Sequence, residues 1–128
     1  MNLVIDVNAV LYYVMQHDKD IEIILLNSDS LIAPLLYISE TGNALLQYTR
    51  KSIITENMAL KYFNASIDVV DDFIDTSNDK ELIFTLAARH SLSYYDAEYL
   101  HLALSSNYKL LTYDKKLRDV ADKLMIGI

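Results

Sequence analysis

The chain has 128 residues, 52% hydrophobic and 23% charged, a balance that argues against disorder and suits one domain, residues 1–128. It has no cysteine, two glycines and one proline, which excludes disulfides, thiolate metal sites and glycine-rich phosphate loops. The net charge of −7 speaks against capture of nucleic acid by a plain basic surface. No apolar run approaches the ~20 residues of a membrane helix. No basic segment precedes the first apolar residues, so neither a membrane anchor nor a signal peptide is expected, and the absence of cysteine fits a cytoplasmic setting.

In chain order, Leu3 to Asp6 reads as a first, buried strand. Asn8 can cap a helix running to about Gln16. A second helical stretch covers Ile21 to Leu26. Leu31 to Ala33 is a short strand stopped by Pro34, and a long helix follows from about Leu35 to Lys51. Thr55 starts another helix that ends near Asn64. The apolar residues between Ile67 and Ile74 fit neither a helical nor a strand period, leaving both open. Asn78 can cap a helix from Asp79 to His90, with acids in its first turn. Tyr94 to Ser106 is a helix, Lys109 to Thr112 a strand, Lys115 to Lys123 a helix, and Leu124 to Ile128 a final short strand. Strands alternating with helices predict an α/β fold: a central, mainly parallel sheet with helices on both faces.

Charge is unevenly distributed. Residues 68–81 carry six acids against Lys80, and residues 109–118 carry four bases against Asp114. The first stretch reads as a solvent-facing edge. Lys115 and Lys116 flank Asp114 and are candidates to steer a phosphate.

Two apolar segments run straight into an aspartate: Leu3-Val4-Ile5-Asp6 and Leu110-Leu111-Thr112-Tyr113-Asp114. In open α/β sheets ligands bind beyond the carboxyl ends of the strands, so both carboxylates can share one crevice. Asp96 falls in the first turn of its helix, where the dipole favours an ionised carboxylate. Glu40 lies in the long helix with Asn43 three residues on, on the same face. Oxygen ligands of this kind suit a hard cation such as Mg²⁺ or Mn²⁺.

The four stretches VIDVNAVL, PLLYISETGNALLQ, LSYYDAEYLHLA and KLLTYDKKL resemble, in order and across the whole chain, the PIN-domain ribonucleases, and more narrowly the VapC-type toxins of VapBC toxin–antitoxin modules. The resemblance implies a PIN-like three-layer sandwich. It places Asp6, Glu40, Asp96 and Asp114 at the four acidic positions of the family's metal site, binding one or two Mg²⁺ or Mn²⁺ ions. It makes Asn8 and Thr112 supporting polar residues, with Asn43 as a neighbour of Glu40. It implies metal-dependent hydrolysis of RNA phosphodiesters, an antitoxin partner that covers the acidic pocket, and a homodimer. One departure stands out. The family has Ser or Thr directly after its first Asp; here that residue is Val7, and the lost hydroxyl is expected to loosen Asp6.

Other residues read as structural. His101 follows Asp96 by a turn and is expected to be a helix residue; His17 and His90 sit at helix ends. Glu98 is expected on a solvated face. Tyr94, Tyr95 and Tyr99 are expected in the core or a dimer interface, while exposed members of the ten tyrosines can stack on RNA bases. The competing reading is an inactive PIN-like domain that binds nucleic acid or protein, which only Val7 favours. A phosphoaspartate receiver would need paired acids after its first strand, and a haloacid-dehalogenase phosphatase would need Asp-x-Asp where this chain has Asp6 and Asn8. A DNA or flap nuclease of this fold would be longer and more basic.

Overall fold

A computed structural model describes residues 1–128. The elements are β1 (Asn2–Ile5), α1 (Val7–Gln16), α2 (Lys19–Leu26), β2 (Ser30–Pro34), α3 (Leu36–Arg50), α4 (Glu56–Asp68), β3 (Asp72–Ile74), α5 (Lys80–His90), α6 (Tyr94–Ser106), β4 (Lys109–Leu111) and α7 (Lys115–Lys123). The four strands form one parallel sheet in the order β3-β2-β1-β4. Leu3 faces Leu31 on one side and Lys109 on the other, and Val4 faces Ile32 and Leu110. Strand β1 is central. Leu3, Val4 and Ile5 are fully buried, as both faces of a parallel sheet are covered.

From β1 the chain steps outward to β2 and β3, then returns past β1 to β4. Right-handed crossovers therefore put α1 to α4 over one face and α5 and α6 over the other. The packing agrees: α4 touches α1 and α3, whereas α6 lies across β1, β2 and β4 and carries α5 on its outer side. The main core cluster is built from β1, β2 and β4 with Val10, Ile21, Tyr37, Leu45, Tyr99, Leu100 and Leu117, and a small second cluster of Ile83, Ala87 and Ala97 lies between α5 and α6. No helix is long and apolar enough to cross a membrane.

Several boundaries differ from expectation. Asp6, not Asn8, caps α1: its carboxylate accepts from the Val7 N–H at 2.8 Å. Helix α4 runs to Asp68 rather than Asn64. The undecided stretch splits, its first residues closing α4 and Asp72–Ile74 pairing with β2 as the edge strand. Two periods meet there, so neither fits throughout. Asn78 caps nothing; a 3-10 turn over Ser77–Asp79 leads into α5. Leu124–Ile128 forms no strand, only a single bridge between Gly127 and Leu110. Pro34 is the last residue of β2, beyond the reach of β1, where its missing N–H costs no ladder bond.

Candidate functional site

The order of the strands reverses between β1 and β4, and the crevice beyond their carboxyl ends is where a doubly wound sheet binds ligands. Asp6 follows β1 directly, and Asp114 follows β4 by three residues. Glu40 stands in the second turn of α3, and Asp96 is the third residue of α6. All four carboxylates line one cavity of about 500 Å³. Its remaining wall includes Val7, Asn8, Leu11, Tyr12, Met15 and Tyr48.

Helix ends aim at this cavity. Asp6 caps α1, and Asp114 caps α7 by accepting from the Leu117 N–H at 2.8 Å. Ser93 caps α6, its hydroxyl accepting from the Asp96 N–H at 3.0 Å. Three positive dipole ends thus surround the acids and help keep them ionised.

Asp6 is 7% exposed. One of its oxygens takes the Val7 N–H; the other accepts from the Thr112 hydroxyl at 2.8 Å and the Asn8 amide at 3.3 Å. Thr112 also accepts from the Asp114 N–H at 3.0 Å, and the Asn8 carbonyl oxygen accepts from the Tyr113 N–H at 2.9 Å. Asn8 and Thr112 therefore join the segments that follow β1 and β4 around Asp6. Asn8 is available for this because it is not the cap. Three donors hold the Asp6 carboxylate without a hydroxyl at position 7.

Tyr99 has a part that its burial alone did not suggest. Its hydroxyl donates to Glu40 at 2.7 Å, tying α6 to α3. Tyr99 lies three residues after Asp96, on the same helical face, and that spacing was the available signal. Burial pushes the Asp6 carboxyl up to about 7, opposed by the Thr112 hydrogen bond and reinforced by the charges of Glu40 and Asp96. Glu40 is raised by burial against the Tyr99 hydrogen bond. Asp96 is raised by burial and by Asp114, with Lys116 opposing. None of the four acids forms an ion pair.

Other expectations fare unevenly. Asn43 is exposed and outside the cavity lining. Lys116 lies close enough to act on Asp96, whereas Lys115 pairs with Asp119 at 3.0 Å along its own helix. Glu98 is not solvated: it is partly buried and accepts from the buried Thr76 hydroxyl at 2.8 Å. Tyr99 is core, but Tyr94 and Tyr95 are exposed, the latter by 61%. Tyr95 falls on the far side of α6 from Ala97 and Leu100, and Tyr94 is the first residue of the helix. His101 is structural, contacting Asp79 at 3.0 Å.

The family model described as PIN domain matches residues 3–123. The chain belongs to the PIN domain family. It is 30% identical over 88 residues to a protein named Ribonuclease VapC1 in two strains of Mycobacterium tuberculosis, CDC 1551 / Oshkosh and ATCC 25618 / H37Rv. That similarity covers 66% of this chain, and the chain spans 63% of the length of these relatives. Its fold resembles the crystal structure of PAE2754 from Pyrobaculum aerophilum, with a TM-score of 0.75 and 22% identity over 93% of this chain and 84% of that one.

The donor set of this PIN domain fits a hard divalent cation. It consists of carboxylate oxygens, one of them buried, with no cationic side chain paired to any. No three of the acids are drawn together tightly enough to close on one ion.

Proposed function

We propose that this PIN domain is a divalent-metal-dependent endoribonuclease and the toxin of a toxin–antitoxin pair. The observation that carries the reading is the convergence of Asp6, Glu40, Asp96 and Asp114 on one cavity without a counter-ion. Buried charge of this kind costs stability and is retained where it binds something. The relatives named Ribonuclease VapC1 support RNA as the substrate.

In this reading Asp6, Asp96 and Asp114 hold Mg²⁺ or Mn²⁺, and Glu40 completes the shell or orients the attacking water. The bound cation supplies Lewis acidity toward the phosphate and lowers the pKa of water. The chain does the rest. Thr112 and Asn8 fix the direction of Asp6, Tyr99 fixes Glu40, and the capped ends of α1, α6 and α7 face the phosphate charge. Lys116 offers a phosphate counter-charge beside Asp96. An antitoxin that covers the pocket and a homodimeric assembly belong to the same proposal.

The test is cleavage of a structured RNA pool by the purified protein in Mg²⁺, Mn²⁺ or EDTA, beside Asp6→Asn and Asp96→Asn. Metal-dependent cleavage lost in both variants is the expected result. If there is no cleavage and no Mn²⁺-induced rise in melting temperature, the reading fails. The inactive binding domain then takes its place.

A further inference from the structure

Four carboxylates bring more oxygens to the cavity than a hard cation can use. Mg²⁺ keeps an octahedral shell in which several positions stay with water or phosphate. Hydrogen bonds already occupy part of the set. Both Asp6 oxygens accept, one from the Val7 N–H and the other from Thr112 and Asn8. One Asp114 oxygen accepts from the Leu117 N–H. Those donors belong to helix caps and to the join between β1 and β4, so the fold itself requires them.

Glu40 differs. It lies inside α3 and caps nothing. One of its oxygens accepts from the Tyr99 hydroxyl at 2.7 Å; the other makes no hydrogen bond, and the residue lines the cavity. A buried tyrosine hydroxyl needs some acceptor, but a backbone carbonyl serves that need. Tyr37, equally buried, donates to the Ser66 carbonyl at 2.7 Å. Tyr99 is 1% exposed and spends its donor on a carboxylate of the site instead.

The backbones on both sides of this contact are fixed. Tyr37 and Thr41, which flank Glu40 on α3, are fully buried. Helix α6 is fastened away from the cavity by Thr76 to Glu98 at 2.8 Å and by the contact of His101 with Asp79 at 3.0 Å. What remains free to turn is the Glu40 side chain, and the Tyr99 hydroxyl decides how it turns.

From this arrangement we propose that Tyr99 is a positioning residue that keeps Glu40 from chelating a cation: it withholds one carboxylate oxygen and leaves only the other for the cavity. The inference rests on the metal-dependent ribonuclease reading and deepens it. A Glu40 that gripped the cation with both oxygens would occupy a position that the reaction needs for water or phosphate.

The test is a double-mutant cycle of wild type, Tyr99→Phe, Glu40→Gln and the double variant, all shown folded by circular dichroism. Mn²⁺ binding is read by electron paramagnetic resonance, and RNA cleavage is read beside it. Tyr99→Phe should lower kcat about tenfold with KM unchanged, while Mn²⁺ binds at least as tightly as to wild type. Glu40→Gln should weaken Mn²⁺ binding more in the Tyr99→Phe background than in wild type, by about threefold or more. Thr76→Val loosens α6 on its other side and should not produce that coupling. The proposal is overturned if Tyr99→Phe weakens Mn²⁺ binding together with cleavage, which is the mark of a merely structural contact. It is also overturned if Glu40→Gln costs the same in both backgrounds, or if Thr76→Val couples to Glu40→Gln as strongly as Tyr99→Phe does. In each of those cases the ribonuclease reading stands as long as wild type binds Mn²⁺ and cleaves RNA. Wild-type protein that neither binds Mn²⁺ nor cleaves RNA sinks that reading and this inference with it.

Discussion

Asp6 is where charge, burial and function meet in one side chain. Its folded pKa of about 7 stands above the unfolded 3.8, so the folded state binds this proton more tightly. That contribution to stability is full below about pH 4 and is lost as pH rises through about 7. Asp6→Asn removes the ionisation while keeping an oxygen for the Val7 N–H. At 1.36 kcal/mol per pKa unit the release is at most about 4 kcal/mol, and disturbed hydrogen bonds reduce it to roughly 1–3 kcal/mol. Urea unfolding in EDTA should therefore show Asp6→Asn more stable than wild type at pH 8, with the gap closing by pH 5. A gap that is the same at both pH values would refute the buried carboxylate. Tyr99→Phe tests the neighbouring contact. Losing the donor to Glu40 should cost about 1 kcal/mol in the same assay, although the apolar body of the ring stays. Burial alone marked Tyr99 as core, and only its distance from Glu40 gave its hydroxyl a task.

The helices place the acids as much as the strands do. Asp6 and Asp114 are caps, and Asp96 sits on a capped first turn. A carboxylate that is both cap and candidate ligand separates under mutation. Asp114→Asn retains a side-chain oxygen for the Leu117 N–H and should leave stability within about 0.5 kcal/mol. Asp114→Ala should lose about 1 kcal/mol. Both should abolish cleavage. Thermal unfolding beside the cleavage assay checks this, and equal stability of the two variants would mean that the cap carries no weight. Most element boundaries were legible because hydrophobic period and capping chemistry coincide there; α7 begins and ends where its sequence predicted. The start of α1 was misplaced for a local reason. Asp, Asn and Ser all cap helices, and which of them adopts the extended backbone of a cap depends on where the preceding strand ends.

At the scale of the molecule, the acids join segments more than a hundred residues apart: Thr112 reaches Asp6 across 106 positions of chain. A cation bound there should stabilise the whole fold by mass action, by about 2.7 kcal/mol at a hundredfold excess over its dissociation constant. Millimolar Mn²⁺ should raise the melting temperature relative to EDTA, and Asp6→Asn should reduce that rise. Identical melting temperatures would count against a metal site.

The sequence by itself determined the α/β class and the two strands that run toward Asp6 and Asp114, while the resemblance joined Glu40 and Asp96 to them as a set. These are local facts, written in hydrophobic runs and in residue types at strand and helix ends. It could not determine the company those acids keep. Asn43, beside Glu40 on its helix, stays outside the cavity, while Tyr99, fifty-nine positions from Glu40, donates to it. Nor could it say that Tyr12 and Tyr48 share a cavity with the carboxylates or that Tyr113 braces Tyr12. Such contacts follow from the order β3-β2-β1-β4 and the crossing of the helices over it. Periodicity tells each segment which face to bury, but the partner it meets is decided only when the sheet is assembled.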